Sequence, residues 1–280
     1  MNIKVTADST CDLSQELLDR YNISTVPLHI IKGEKQYDDL IDITPSDIIE
    51  HVSAGGDICG TTAVNTSEYV ELFEEFSAKY DAVFHITISA EFSSCYQNAC
   101  TAAEGFSNVY VIDSRNLSTG QGLVVIEAAI KGKTMESPEQ LHDYLMRLTD
   151  RVEASFVVNS LEYIRKGGRC SAVAHLGANL LQLKVCIRVN KGKMDVVKKY
   201  RGSFTKCLNG YIEERIHKRD DISTERIFIT HSFCDDYVDY VRGEIDKHAV
   251  FDEILVTRAG CTVTCHCGPG TLGILFIRKD

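Results

Sequence analysis

An α/β protein of two lobes is what this 280-residue sequence predicts, with an N-terminal parallel sheet carrying helices on both faces and a C-terminal mixed α+β lobe. Three observations predict it. The length exceeds one typical domain and suits two. The first half alternates strand, polar loop and helix, the pattern of a parallel sheet. The second half changes character, opening with a hairpin signal. A boundary near residue 159 gives expected lobes of 1–158 and 159–280.

Residues 3–7 are a short apolar strand running into the polar loop Asp8-Ser9-Thr10. Ser14 caps a helix over 15–21. Residues 26–30, Val-Pro-Leu-His-Ile, form one extended run. Thr44-Pro45-Ser46-Asp47 supplies a cap, a proline at the first helical position and an acid at the third, so a helix runs to Val52 and stops at Gly55-Gly56. A helix over 65–79 places Tyr69, Leu72, Phe73 and Phe76 on one face. Gly60-Thr61-Thr62 reads as a loop opening into it. Then come a buried strand (82–88), a helix (93–103), a strand (109–112), a helix (121–130), and another helix opened by Ser137-Pro138-Glu139.

In the second half, residues 156–158 lead into Leu161 to Arg169. Strands at 185–189 and 194–200 flank Asn190-Lys191-Gly192-Lys193, a hairpin with glycine in its turn. A helix (204–218), strand (227–230), helix (236–247) and strands at 254–257 and 272–277 complete the reading. Ligands of such parallel sheets sit beyond the carboxyl ends of the strands, where the loops after Ala7 and Ile88 lie.

Hydrophobic residues make up 44% and charged residues 25%, with a formal net charge of −10. An acidic chain without a basic block predicts no nucleic-acid partner. No apolar stretch approaches the roughly 20 residues that span a bilayer, so stable membrane insertion is not expected. The opening MNIKVTADST lacks the features of a signal peptide, and a cytoplasmic location is expected. Eleven cysteines, an odd number with no C-x-x-C pair, argue against a disulfide framework. Cys261, Cys265 and Cys267 crowd around His266. A metal or redox module is one reading, but small thiols on a turn are favoured, because structural zinc sites show paired spacing.

Several groups are candidates for chemistry. Ser9 lies in a strand-end loop rich in hydrogen-bonding side chains, which suits either a ligand loop or a plain turn. Thr61-Thr62 and Ser93-Ser94 sit at loop-to-helix transitions, where hydroxyls and free N–H groups can cap the helix or receive a carboxylate. His266 precedes Gly268-Pro269-Gly270, where the backbone can turn tightly or approach a ligand, and an imidazole there can hold a carboxylate or exchange protons. Arg165 to Arg169 is basic and glycine-rich but is no phosphate loop. The G-x-S-x-G, P-loop and H-E-x-x-H signatures are missing.

Taken in order, these segments resemble the DegV family of fatty-acid-binding proteins across nearly the whole chain. Asp8 to Leu13 and Val26 to Leu28 match its opening. Gly60-Thr61-Thr62 matches the start of a Thr-Ser-Gln-Pro-Ser loop, from which Ala63-Val64-Asn65 depart. Ile88 to Gln97 is similar to I-S-x-x-L-S-G-T-Y-Q, with Ser94 and Cys95 in place of Gly and Thr. Asp113-Ser114, Leu161 to Ser171, Leu176-Gly177, Arg201 and His266 to Gly273 also fall in register. The resemblance implies one long-chain fatty acid, such as palmitate, stearate or oleate, in a buried tunnel between the lobes, and no other cofactor or metal. Its carboxylate would be held by Thr61, Thr62, Ser93 and His266, with Ser9, Ser94, Arg169, Arg201, Gly268 and Gly270 as supporting or interface residues. It further implies a carrier, not an enzyme, that presents the acid to a separate fatty acid kinase. The competing expectation is a hydrolase or acyltransferase using Ser93 or Cys95 with His266.

Overall fold

A computed structural model describes residues 1–174 and 183–280. The family match at Leu176-Gly177 lies outside the described residues.

The chain opens with β1 (Ile3–Asp8), α1 (Gln15–Tyr21), β2 (Ile23–Val26), β3 (His29–Lys32), β4 (Lys35–Asp38), α2 (Pro45–Ser53), β5 (Gly60–Thr62), α3 (Thr66–Ser77), β6 (Ala82–Thr87), α4 (Cys95–Ala103) and β7 (Val109–Asp113). Strands in the order β2-β1-β6-β7 form an all-parallel sheet, as the alternating pattern predicts. The capping signals act as read: the Ser14 hydroxyl accepts from the Leu17 N–H, and Thr44 with Asp47 closes a reciprocal capping box at α2.

Two expectations need correction here. The run at 26–30 is not one strand. β2 ends at Val26 and β3 starts at His29, in a separate antiparallel sheet of order β4-β3-β5. Pro27 between them has no N–H to continue a ladder. Gly60-Thr61-Thr62 is likewise not a loop but β5, paired with β3 in the register Thr61 to Ile30.

Next come α5 (Ser118–Lys131), α6 (Pro138–Thr149), β8 (Val152–Val158), α7 (Glu162–Gly167), α8 (Ser171–Ala174), β9 (Leu183–Asn190), β10 (Lys193–Arg201), α9 (Phe204–Ile216), β11 (Ile222–Ser232), α10 (Asp235–Asp246), β12 (Glu253–Arg258), α11 (Cys261–Cys267) and β13 (Thr271–Arg278). The second large sheet is mixed, ordered β10-β9-β8-β13-β11-β12, with only β11 and β12 parallel. The β9–β10 hairpin turns through Lys191 and Gly192, both at positive φ, as a two-residue turn of this kind requires.

The two large sheets share α5, which contacts β1 and β6 on one side and β8, β13 and β11 on the other. Its residues 118–129 are all buried, the signature of a helix with no solvent face. Thr119 meets Thr230 of β11 at 2.5 Å, Gln121 donates to Ile86 O of β6 at 3.0 Å, and Glu127 pairs with Arg226 of β11. These buried polar side chains of α5 find partners, which lowers the cost of enclosing the helix. β13 alternates as a central strand must: Leu272, Ile274 and Phe276 face the core beneath α9 and α10, while Leu275 and Ile277 face the core shared with α5. No helix among the described residues is long and apolar enough to cross a membrane.

Candidate functional site

The site is built on α11. The sequence predicts thiols on a turn there, but residues 261–267 are helical. Its residues are weak helix formers, and the helix is anchored from outside. The Asp39 carboxylate accepts from Cys261 N (2.9 Å), Thr262 N (3.4 Å), Thr262 Oγ1 (2.7 Å) and Ser9 Oγ (3.0 Å). Asp12 Oδ1 accepts from Gly260 N at 2.9 Å. Two buried carboxylates thus occupy the N-terminal end of the helix, where free N–H groups and the dipole favour them. Burial pushes the Asp12 carboxyl up to about 7, against the opposing pull of the Ser118 and Gly260 hydrogen bonds.

At the other end, α11 presents His266. The chain leaves through Gly268 at φ +72° and Gly270 at φ +76°. A Cβ on Gly268 would stand 2.4 Å from the Tyr163 ring, so only glycine lets α11 seat against α7. His266 Nε2 bonds Thr61 Oγ1 of β5 at 2.8 Å. Its Nδ1 is buried beside Gly167 and has no hydrogen-bond partner among the described residues. Burial first, and the nearby Arg169 charge second, hold the imidazole down at about 4, so it is neutral at pH 7. It offers one N–H donor and no positive charge.

His266, Thr61, Thr62, Ser93 and Arg169 all line one cavity. Leu28, Ile88, Phe92, Leu117, Met194 and Val263 supply its apolar walls. Thr61 is half-buried and Thr62 sits on the exposed rim. Ser93 precedes α4, and its hydroxyl accepts from Cys95 N at 3.3 Å and lies 3.1 Å from Cys95 Sγ. Arg169 donates to Gly167 O (2.8 Å) and Phe92 O (3.4 Å), which holds the guanidinium at the cavity edge. The polar groups therefore gather around a mainly apolar space. A second, smaller cavity shares Leu117, Val263 and Cys267 with the first and extends along β13 past Phe156, Gly273 and Leu275.

Other expected site residues stand elsewhere. Ser9 is buried, accepts from Leu28 N at 3.1 Å and holds Asp39, so it acts on α11 at one remove. Ser94 is exposed at the start of α4 and makes no capping bond with its side chain. Arg201 is exposed at the end of β10, and it does not line this cavity. Gly268 and Gly270 shape the turn below His266. Sequence reasoning did not single out Asp12 and Asp39 as the anchors of α11, nor the apolar wall residues Leu117, Met194 and Val263.

Among the described residues, no bond joins Ser93 or Cys95 to His266. Cys95 is pushed up to about 12, chiefly by burial, and is no ready nucleophile. The cysteines of α11 do not converge around His266: Cys261 and Cys265 pack with Ile30, Ile43 and Ile48, while Cys267 faces the cavities. No group of three or more potential metal ligands comes together among the described residues.

Residues 2–279 match the family described as uncharacterised protein, DegV family. A DegV domain-containing protein of Caldanaerobacter subterraneus subsp. tengcongensis is 26% identical over 99% of both chains. Among solved structures, a fatty-acid-binding DegV family protein from Thermus thermophilus superposes with a TM-score of 0.90 at 28% identity, covering 99% of this chain and 100% of its own. A stearic-acid-binding protein from Eubacterium ventriosum gives 0.85 at 25% identity, covering 99% and 98%.

Proposed function

The chain belongs to the DegV family, and from that premise we propose that it binds one long-chain fatty acid, with the carboxylate at Thr61, Thr62, Ser93 and His266 and the acyl chain along the two neighbouring cavities. The observation that carries this reading is the gathering of the Thr61, Thr62 and Ser93 hydroxyls, one neutral imidazole and one arginine around a mainly apolar space, with the Thr262 hydroxyl turned to Asp39. Burying methylenes yields about 0.8 kcal/mol each, so about fifteen offer up to about 12 kcal/mol before the costs of association. A carboxylate buried without partners would lose several kcal/mol of that. The hydroxyls and the imidazole N–H supply hydrogen bonds, and Arg169 supplies the charge that neutral His266 does not. Similarity to proteins described as binding fatty acids supports the same reading.

In this reading the protein is a carrier and not a catalyst. It needs no activated nucleophile, and among the described residues neither Ser93 nor Cys95 is bonded to His266. Presentation of the acid to a separate fatty acid kinase, with exposed Arg201 at the contact, is part of the proposal. Acyl phosphate trapped with hydroxylamine should then form only when ATP, kinase and loaded carrier are all present.

The deciding measurement is native mass spectrometry of the purified protein, followed by denaturing lipid analysis. One fatty acid per chain is expected. An empty protein that also refuses added fatty acids would overturn the reading. The variant Ser93→Ala should remain folded and lose about 1.5–3 kcal/mol of binding, the worth of a hydrogen bond to a charged group. Unchanged affinity would remove Ser93 from the site.

A further inference from the structure

The small core under α11 holds a thiol pair that the carrier reading does not use. Cys59 and Cys265 lie in one cluster with Ile30, Ile43, Ile48 and Cys261. The two thiols are near enough for each to act on the other's ionisation, which lowers Cys59 and raises Cys265. Cys59 stands two residues before Thr61 and Cys265 one residue before His266, so the pair lies alongside the Thr61–His266 bond that ties β5 to α11. Cys59 is only 6% exposed, but it is flanked by exposed residues at 57 and 60, at the end of the connection from α2 to β5. Cys265 is 1% exposed. Both sulfurs are buried, and Cys59 is the less deeply buried of the two.

We propose that Cys59 and Cys265 form a reversible disulfide on exposure to hydrogen peroxide, and that the bridge locks β5 onto α11 beside the carboxylate clamp. The role of the clamp rests on the function proposed above; the bridge itself does not. The Cys59 thiolate attacks the peroxide: an S–O bond forms, the O–O bond breaks, and the departing hydroxide takes up a proton to become water. Cys265 then attacks the sulfenic sulfur: the S–S bond forms, the S–O bond breaks, and the Cys265 proton leaves with the second water. Two thiols lose two electrons in all, and one peroxide gains them. A dithiol reductant reverses the bridge by exchange.

The surroundings suit these roles. Cys265 lowers the Cys59 pKa, and Lys32 acts in the same direction. Cys265 is raised by Cys59 and by burial. The other thiols with resolved shifts are raised, mainly by burial. Cys59 is therefore the thiol best prepared to react with a small oxidant, since thiolate character and access set susceptibility.

The test uses lipid-free full-length protein treated with hydrogen peroxide. Peptide mass spectrometry should find Cys59 joined to Cys265, with the mass lower by two hydrogen atoms and restored by dithiothreitol. Hydrogen exchange at residues 60–62 should slow by about tenfold in the bridged form, since the bridge raises the cost of local opening by about 1.4 kcal/mol. Cys59→Ala and Cys265→Ala should each abolish both changes, while Cys261→Ser should keep them. Cys59 oxidised to sulfinic acid without a bridge, or a dithiothreitol-reversible loss of two hydrogen atoms that persists in Cys265→Ala, overturns the assignment. A bridge with unchanged exchange at residues 60–62 overturns the lock. Neither readout depends on fatty acid, so failure of the carrier reading would show separately, as absent lipid in an otherwise bridging protein.

Discussion

At the scale of the residue, His266 carries the most chemical information. Its place before Gly-Pro-Gly marks it in the sequence as a presented histidine. Its charge state is not legible there, because it depends on burial under α7 and on the Arg169 side chain. The folded imidazole titrates near 4, against about 6.5 for an unfolded chain. Between those values the unfolded chain takes up a proton that the folded protein refuses. The contribution of His266 to stability should therefore fall as pH drops from about 6.5 to about 4, by up to about 3 kcal/mol, and level off below. Asp12 works in the opposite sense: raised to about 7, it keeps a proton in the folded state that the unfolded chain gives up, so its contribution grows as pH falls below 7. The clean measurement is the difference between wild type and His266→Gln in urea unfolding across pH 4–7, in which Asp12 cancels. The wild type should lose ground relative to the variant as pH falls. A flat difference would mean that His266 is not buried in solution.

Elements were legible where caps and periodicity are local and obscure where a partner from elsewhere decides. The capping box at Thr44–Asp47 and the hairpin at Lys191-Gly192 state their own geometry in a few adjacent residues. α11 does not. Cys-Thr-Val-Thr-Cys-His-Cys has poor helix propensity, and its anchors, Asp12 and Asp39, lie more than two hundred residues earlier in the chain. The small sheet β4-β3-β5 escaped for a related reason, since three- and four-residue strands carry too little periodicity to separate them from loops. Two variants probe this element. Asp39→Asn weakens a carboxylate that accepts four hydrogen bonds at a helix start, and should cost about 2–3 kcal/mol in chemical denaturation. Gly268→Ala forces a Cβ against the Tyr163 ring at positive φ and should cost at least about 1–3 kcal/mol. If both were neutral, α11 would not depend on the contacts that fix its ends.

The whole molecule was legible as an architecture, from the alternation of the first half and the hairpin of the second, but not as a container. The apolar walls come from Leu28, Ile88, Phe92, Leu117, Met194 and Val263, which share no spacing and meet only after folding. We propose that the two lobes divide just before Val152, because β8 pairs with β9 and β13 in the larger sheet; the expected boundary after residue 158 would detach it from its partners. In the proposed function, α5 and the strands it touches form the frame of a passage, with the carboxylate end near His266 and the far end along β13. This orientation makes a demand that a simple pocket would not. Leu275 lines the second cavity and does not line the first, so Leu275→Trp should shorten the passage without disturbing the clamp. Each methylene it excludes should cost about 0.8 kcal/mol, so a variant that shuts out four should bind a long acid about 3 kcal/mol more weakly. Shorter acids that never reach Leu275 should bind as they do to the wild type. Titration calorimetry over a series of chain lengths measures this directly, with circular dichroism to establish that the larger ring is accommodated. Equal losses at every length would place the acyl chain elsewhere, and a loss that begins only beyond a threshold length would fix how deep the chain reaches.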